Sequence, residues 1–346
     1  MHNSHIFRKF CRDRNIKSST MKGYESSLKK YEKFCGKSID SLLEEALNEE
    51  SKRIPLKERK LKKRLVGFRS YLLNSDMSPN TVKTYFSKLK TFYLHFEIEL
   101  PHLPDAKYDT TYETNYLDLP TKEDIRNVLD VVSIDMKAII LFMSSSGTAK
   151  AETLSLTVEQ FIRGTEEYHD GGSLKDILDT LEKRRDVVPT FYLKRIKTSK
   201  YYYTFCSPEA SYYIVKYLKT REDLTLDSSL FDFSDSLLLT RFQDINDNMG
   251  WGFKGKYRFF RSHTLRKFHA SNIGLSAEYI DSLQGRSKNE VHETYIKTNP
   301  EELKKIYMKA MNNVMIYGAP DDEKEVNQEF TIVINVFLSG KEYNIM

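Results

Sequence analysis

Ser262-His-Thr-Leu-Arg-Lys-Phe-His269, then Leu283-Gln-Gly-Arg-Ser287, then His292-Glu-Thr-Tyr295, are the segments from which the rest of the chain can be read. Ser262 can cap a helix. Leu265, Phe268 and Ile273 then fall on one face, while His263 and Arg266, three residues apart, share another. Together the segments offer an imidazole and a guanidinium one turn apart, a second guanidinium beside a glycine, and a phenol downstream. That set suits holding a phosphodiester and attacking it with tyrosine.

Totals bound the classes this chemistry can belong to. At 346 residues and 40% hydrophobic, the chain has room for two domains with a core in each. Its 22 Tyr and 20 Phe exclude a disordered chain. The first residues, Met1 to Lys17, are polar and charged, and no stretch approaches the ~20 apolar residues that span a bilayer. Cys11, Cys35 and Cys206 are odd in number and far apart, as in a reduced cytoplasmic protein without structural disulfides. The pass along the chain yields no Asp/Glu cluster, Cys/His metal set, Walker loop or Ser/His/Asp order, so neither metal nor cofactor is expected. The net charge of +5 is uneven: residues 1–105 carry 22 Lys/Arg against 13 Asp/Glu, and the remainder 32 against 36. A basic N-terminal third is what gripping phosphates requires.

Helical spacing runs through that third. Tyr24, Leu28, Tyr31 and Phe34 lead to a stop at Gly36; Leu61, Leu65, Phe68 and Leu72 line a helix from about Leu56 to Leu73. Ser78 and Pro79 open a third helix along Val82, Phe86, Leu89 and Phe92. Pro101 and Pro104 end it. The predicted organisation is a helical domain over 1–104, a linker over 105–119, a catalytic domain over 120–318 and a tail over 319–346. In the second domain, Thr121 begins a helix and an apolar helix at Met136–Met143 ends at Ser144-Ser-Ser-Gly147. Val187–Ile196 and Tyr201–Phe205 form a hairpin around Lys197-Thr-Ser-Lys200. Ser207-Pro208 caps another helix, and Arg241 to Arg261 reads as an irregular basic loop. Asn299-Pro300 opens the last helix, and Phe330–Leu338 is a β-type run suited to a terminal strand. The fold class is mainly α with a small β-hairpin or sheet.

With these residues in place, the chain resembles the tyrosine recombinase (phage integrase) family, whose signature is an Arg, a hairpin Lys, His-x-x-Arg, a Gly-His-type dipeptide and a Tyr nucleophile, in that order. The ten residues from Gly285 to Tyr295 match the family's interval. The resemblance implies a DNA-clamping N-terminal domain, a recombinase-like α+β catalytic domain, and Tyr295, Arg266, His263, Lys197, Arg286 and Lys150 as catalytic residues. Two positions depart from the pattern. Lys150 stands in the box Gly147 to Leu156 where an Arg belongs, and a point charge replaces a flat fork, which weakens the expected activity. Arg286 stands where His or Trp is usual. Contacts to DNA are expected from Lys60, Lys63, Arg64, Lys83, Lys88 and Arg261.

The activity so implied is site-specific cleavage and rejoining of duplex DNA through a 3′-phosphotyrosyl intermediate, as in an integrase of a mobile element. The partners are duplex DNA and further copies of the chain, a tetramer on DNA and a monomer or dimer without it. Two other readings fit the same residues: a type IB-like topoisomerase, and a DNA-binding protein that keeps the fold with weakened catalysis.

Overall fold

Ser4 opens the first helix by accepting the Phe7 N–H at 2.9 Å while donating to Asp40 at 2.6 Å. That helix, α1 (His5–Asp13), is followed by α2 (Ser18–Cys35), α3 (Ile39–Ser51), α4 (Lys60–Leu73) and α5 (Pro79–His95). The computed structural model describes residues 4–75, 77–104, 115–286 and 299–318. The chain divides into two compact units, Met1–Glu113 and Thr114–Met346.

In the first unit α2 stops where Gly36 turns left-handed (φ 66°), and Ser78 caps α5 with Pro79 in its first turn. Both features follow from the sequence. Helices α1 and α3 were not foreseen, and α4 starts at Lys60 rather than near Leu56. Phe7, Phe10, Tyr31, Phe68, Phe92 and Tyr93 are buried in one apolar core that all five helices share. The aromatic stripes are therefore packing surfaces.

Basic residues of α4 meet an acid of α3 here. Glu45 takes Lys60 and Arg64 at 2.7 Å each and Lys37 at 3.1 Å. Partial burial works against its charge, yet these three hydrogen bonds pull its pKa down to about 2. A carboxylate held below its unfolded value adds stability above about pH 4.5 and loses it as pH falls towards 2. Lys60 is solvent-exposed, which screens the pair. Glu45→Ala is thus expected to cost only about 1 kcal/mol at pH 7, and nothing near pH 2. Hydrogen exchange across 60–73 at both pH values measures it.

The second unit begins with a 3-10 turn, Tyr116–Asp118, and then α6 (Lys122–Val131), capped reciprocally by Thr121 and Asp124. Next come α7 (Ile134–Ser146), α8 (Lys150–Leu154), α9 (Val158–Gly164) and α10 (Leu174–Glu182). Strands β1 (Thr190–Lys194) and β2 (Tyr201–Phe205) pair antiparallel, with Tyr192 opposite Tyr203. Then follow α11 (Pro208–Lys219), α12 (Asp235–Asn248), the short strands β3 (Phe253–Lys254) and β4 (Tyr257–Arg258), α13 (Ser262–Asn272), α14 (Ala277–Leu283) and α15 (Pro300–Ala310). The expected irregular loop at Arg241 to Arg261 is instead the end of α12 and a tight hairpin. Ser234 caps α12, and Leu238, Phe242 and Ile245 bury its inner face.

Helix α7 is the central element of this unit. From Ala138 to Ser146 every residue is buried, and it packs on α11 and α13. A helix apolar all round can only be an interior one. Its end is tied down by polar contacts: the Tyr307 hydroxyl donates to Ser145 O (3.0 Å) and Thr204 to Ser146 O (3.2 Å). Gly147 then breaks it in the left-handed conformation (φ 65°). In the first turn of α11, Glu209 accepts the N–H groups of Ile316 (2.8 Å) and Tyr317 (2.9 Å).

The fold class is as the sequence implied: mainly helical, with small antiparallel strand pairs. Among the described residues no helix is long and apolar enough to cross a membrane. Most of the linker, the tail with its β-type run, and Tyr295 lie outside the described residues.

Candidate active site

Two arginines from segments distant in sequence meet at the carbonyl oxygen of Gln284, and an acid from a third segment lies beside them. Helix α13 brings Arg266, whose Nη1 donates to Gly147 O (2.6 Å) and whose Nη2 donates to Gln284 O (2.9 Å). The turn after β1 brings Arg195, whose Nη1 donates to the same Gln284 oxygen at 2.9 Å. Helix α8 brings Glu152, whose Oε1 accepts the Ile196 N–H at 3.2 Å and lies 3.8 Å from Arg195 Nε. Arg266 is 5% exposed. Burial first, and then the charges of Arg195 and Arg286, lower its pKa to about 10. It stays cationic at neutral pH and lacks a bonded carboxylate among the described residues.

Gln284 and His269 form the floor. The Gln284 amide donates to Arg266 O (3.1 Å) and to His269 Nδ1 (2.9 Å). Because the amide N–H is the donor, Nδ1 must accept, which places the imidazole proton on Nε2. Burial, followed by the nearby guanidiniums, pushes the His269 pKa down to about 3, so the ring is neutral. Buried polar atoms without a partner among the described residues gather here: Glu152 Oε2, Tyr202 OH, His269 Nε2 and Gln284 Oε1.

Two glycines let the backbone close around this floor. A Cβ on Gly147 would lie 2.6 Å from both Gln284 Nε2 and His269 Nδ1, and one on Gly285 (φ 60°) would lie 2.5 Å from the Tyr202 ring. Left-handed strain and overpacking act together at each. Gly147→Ala and Gly285→Ala should each lower stability by about 1–3 kcal/mol or more. Chemical unfolding of the full chain measures this, and an unchanged midpoint would contradict the close packing.

The sequence-derived residues are distributed as follows. Arg266 and Arg286 are near enough to act electrostatically on each other and on His263. Arg286 is half-exposed, 3.6 Å from Asp281. His263 sits exposed in the first turn of α13. Such burial as its ring has, followed by Arg261, Lys267, Arg266 and Arg286, pushes its pKa down to about 4. The N-cap of α13 is Arg261 rather than Ser262. Lys197 is exposed in the β1–β2 turn, one residue beyond the Ile196 N–H that Glu152 holds. Lys150 directs its ammonium to Asp235 at 2.6 Å.

Of the residues expected to contact DNA, Lys60 and Arg64 engage Glu45, while Lys63 and Lys83 are exposed. Lys88 lies 5.7 Å from the Tyr24 ring and Arg261 4.5 Å from the Tyr257 ring. Sequence reasoning missed Arg195, Gln284 and His269 as site residues. The alternation of β1 was readable, but which way Arg195 turns after the strand depends on contacts 89 residues away.

Residues 4–95 match the family described as the phage integrase SAM-like domain. The chain is similar in structure to a lambda integrase tetramer bound to a Holliday junction, at 14% identity and a TM-score of 0.55, over 82% of this chain and 76% of that one. The chain has the integrase fold. A lambda integrase dimer bound to a COC′ core site is also similar, at 13% identity and a TM-score of 0.53, over 84% of this chain and 74% of that one. No curated protein sequence matches the chain significantly. Within the integrase fold, the cluster around Gln284 O is assembled from the box at Gly147, the hairpin turn, the His-x-x-Arg helix and the Gly285-Arg286 dipeptide.

Proposed function

We propose that the chain is a site-specific tyrosine recombinase, a cytoplasmic, DNA-associated enzyme that cleaves and rejoins duplex DNA through a 3′-phosphotyrosyl intermediate. The observation that carries this reading is the gathering of cationic side chains around one buried carbonyl, with Glu152 as the neighbouring acid. An excess of preorganised donors in a partly buried site is complementary to a pentavalent phosphate, whose charge spreads over its non-bridging oxygens. Arg266 and Arg286 would hold those oxygens. The Tyr295 oxygen would attack phosphorus as the bond to the 5′ oxygen breaks, and Lys197 would protonate the departing oxygen. His263 would accept the tyrosine proton. Strand exchange follows when a 5′ hydroxyl from another duplex attacks the phosphotyrosine. Recombination would assemble several copies on two duplexes, with the basic helices α4 and α5 tracking backbone phosphates.

The base assignment has a pH signature. An imidazole with a pKa near 4 is neutral and able to accept a proton throughout the neutral range. Single-turnover cleavage should therefore hold from pH 8 down to about 5 and fall only below about 4. An acid limb centred near 6.5 would contradict the placement of His263 among these cations.

The function is tested on duplexes that the chain itself selects from a randomised pool, nicked lightly at random so that cleavage beside a nick releases a short fragment. A denaturation-resistant protein–DNA adduct, together with joining of two duplexes, is the expected result. Supercoil relaxation without joining would favour the topoisomerase reading. Tight binding without an adduct would favour a protein that keeps the fold for DNA binding alone.

A further inference from the structure

The integrase-like box at Gly147 to Leu156 contains no arginine, and its Lys150 is paired with Asp235. The structure nonetheless has a second, partly buried guanidinium where the box meets α13, and it comes from the hairpin. The backbone at Arg195 is fixed on both sides: its N–H donates to Lys200 O and its carbonyl accepts the Ser199 N–H, each at 2.7 Å. The side chain turns inward and is only 16% exposed. There it shares Gln284 O with Arg266, each at 2.9 Å, and its Nε approaches Glu152. Glu152 also holds the next backbone N–H, at Ile196, so the acid of the box anchors this arginine's turn.

Two guanidiniums converging on one neutral oxygen repel each other, and one acid nearby does not neutralise both. Such an arrangement is stabilised when an anion with two or more acceptor oxygens lies across the pair. Among the described residues Arg195 commits one of its five N–H donors to a hydrogen bond, which leaves a flat fork for a phosphate.

We propose that Arg195 is a catalytic residue, which with Arg266 grips the non-bridging oxygens of the scissile phosphate and does the work of the arginine absent from the Gly147 box. The proposal rests on the phosphotyrosyl reading above. Arg195 keeps its proton throughout: the P–O bond to Tyr295 forms, the bond to the 5′ oxygen breaks, and the proton for that oxygen comes from Lys197.

The test uses the full chain and the self-selected, randomly nicked duplexes. Arg195→Ala should cut the adduct-forming rate by ~10²-fold or more, with duplex affinity changed by less than about fivefold. Guanidinium ion at millimolar concentration should restore part of the lost rate. Arg195→Lys keeps the charge without the fork and should remain at least ~10-fold slow, which decides the matter should the alanine variant fail to fold. Inorganic phosphate should raise the melting temperature of the wild-type chain more than that of Arg195→Lys. An alanine or lysine variant within threefold of the wild-type rate overturns the role of Arg195 and leaves the recombinase reading intact. A wild-type chain that forms no adduct, or an adduct that survives Tyr295→Phe, overturns that reading and the catalytic role of Arg195 with it.

Discussion

Tyr295→Phe is expected to leave duplex binding unchanged and to reduce the covalent adduct to the detection limit, a loss of at least ~10³-fold. The substitution removes one oxygen and keeps the ring. Covalent catalysis needs that oxygen as the atom joined to phosphorus, and neighbouring groups cannot replace it. Tyr295 follows Gly285 by ten residues, and Gly285 and Arg286 border the cation cluster. His263 can receive the phenolic proton because its ring is neutral in the neutral pH range, its pKa being pushed down to about 4. As a weak base it takes that proton only as the bond to phosphorus forms. Filter binding and denaturing gels on the same preparation read the two quantities separately. Loss of binding in parallel with the adduct would point to a packing role for Tyr295.

Arg266→Lys should be nearly as severe, for two reasons that separate experimentally. One guanidinium spans Gly147 O and Gln284 O while it faces the cluster. An ammonium on a flexible stem cannot satisfy both carbonyls and also present a flat fork to a phosphate. The buried carbonyl left without a donor costs about 1–3 kcal/mol of stability. The lost transition-state contact costs ~10²–10³ in cleavage rate. Unfolding curves measure the first and single-turnover cleavage the second. If the rate falls no further than the stability loss explains, Arg266 is a structural cation.

What was legible in the sequence was whatever local chemistry dictates. Ser78-Pro79, Thr121 with Asp124, Ser207-Pro208 and Asn299-Pro300 each begin a helix where capping requires it. His263 and Arg266 could be placed together because three residues make one helical turn. Two of the missed helices carried a readable signal. Ser38 caps α3, with Ile39, Leu42, Leu43 and Ala46 on its buried face, and Ser234 caps α12 ahead of Leu238, Phe242 and Ile245. In α12 the exposed Leu237 and Leu239 on either side of the buried Leu238 obscured the period. The site was harder to read. The direction of Arg195 is set by Gln284 and Glu152, both remote in sequence, and a shared carbonyl leaves no pattern in the chain. The functional weight assigned to Lys150 came from its place in the box, whereas its ammonium is directed to Asp235.

Digestion of the trapped adduct bears most directly on the central claim. Cleavage after Lys288 and Lys297 isolates residues 289–297, in which Tyr295 is the only tyrosine. The expected result is that this peptide alone carries the nucleotide mass, joined through a 3′ phosphate to the Tyr295 oxygen. Nucleotide on any other residue, or an adduct joined through a 5′ phosphate, would contradict it.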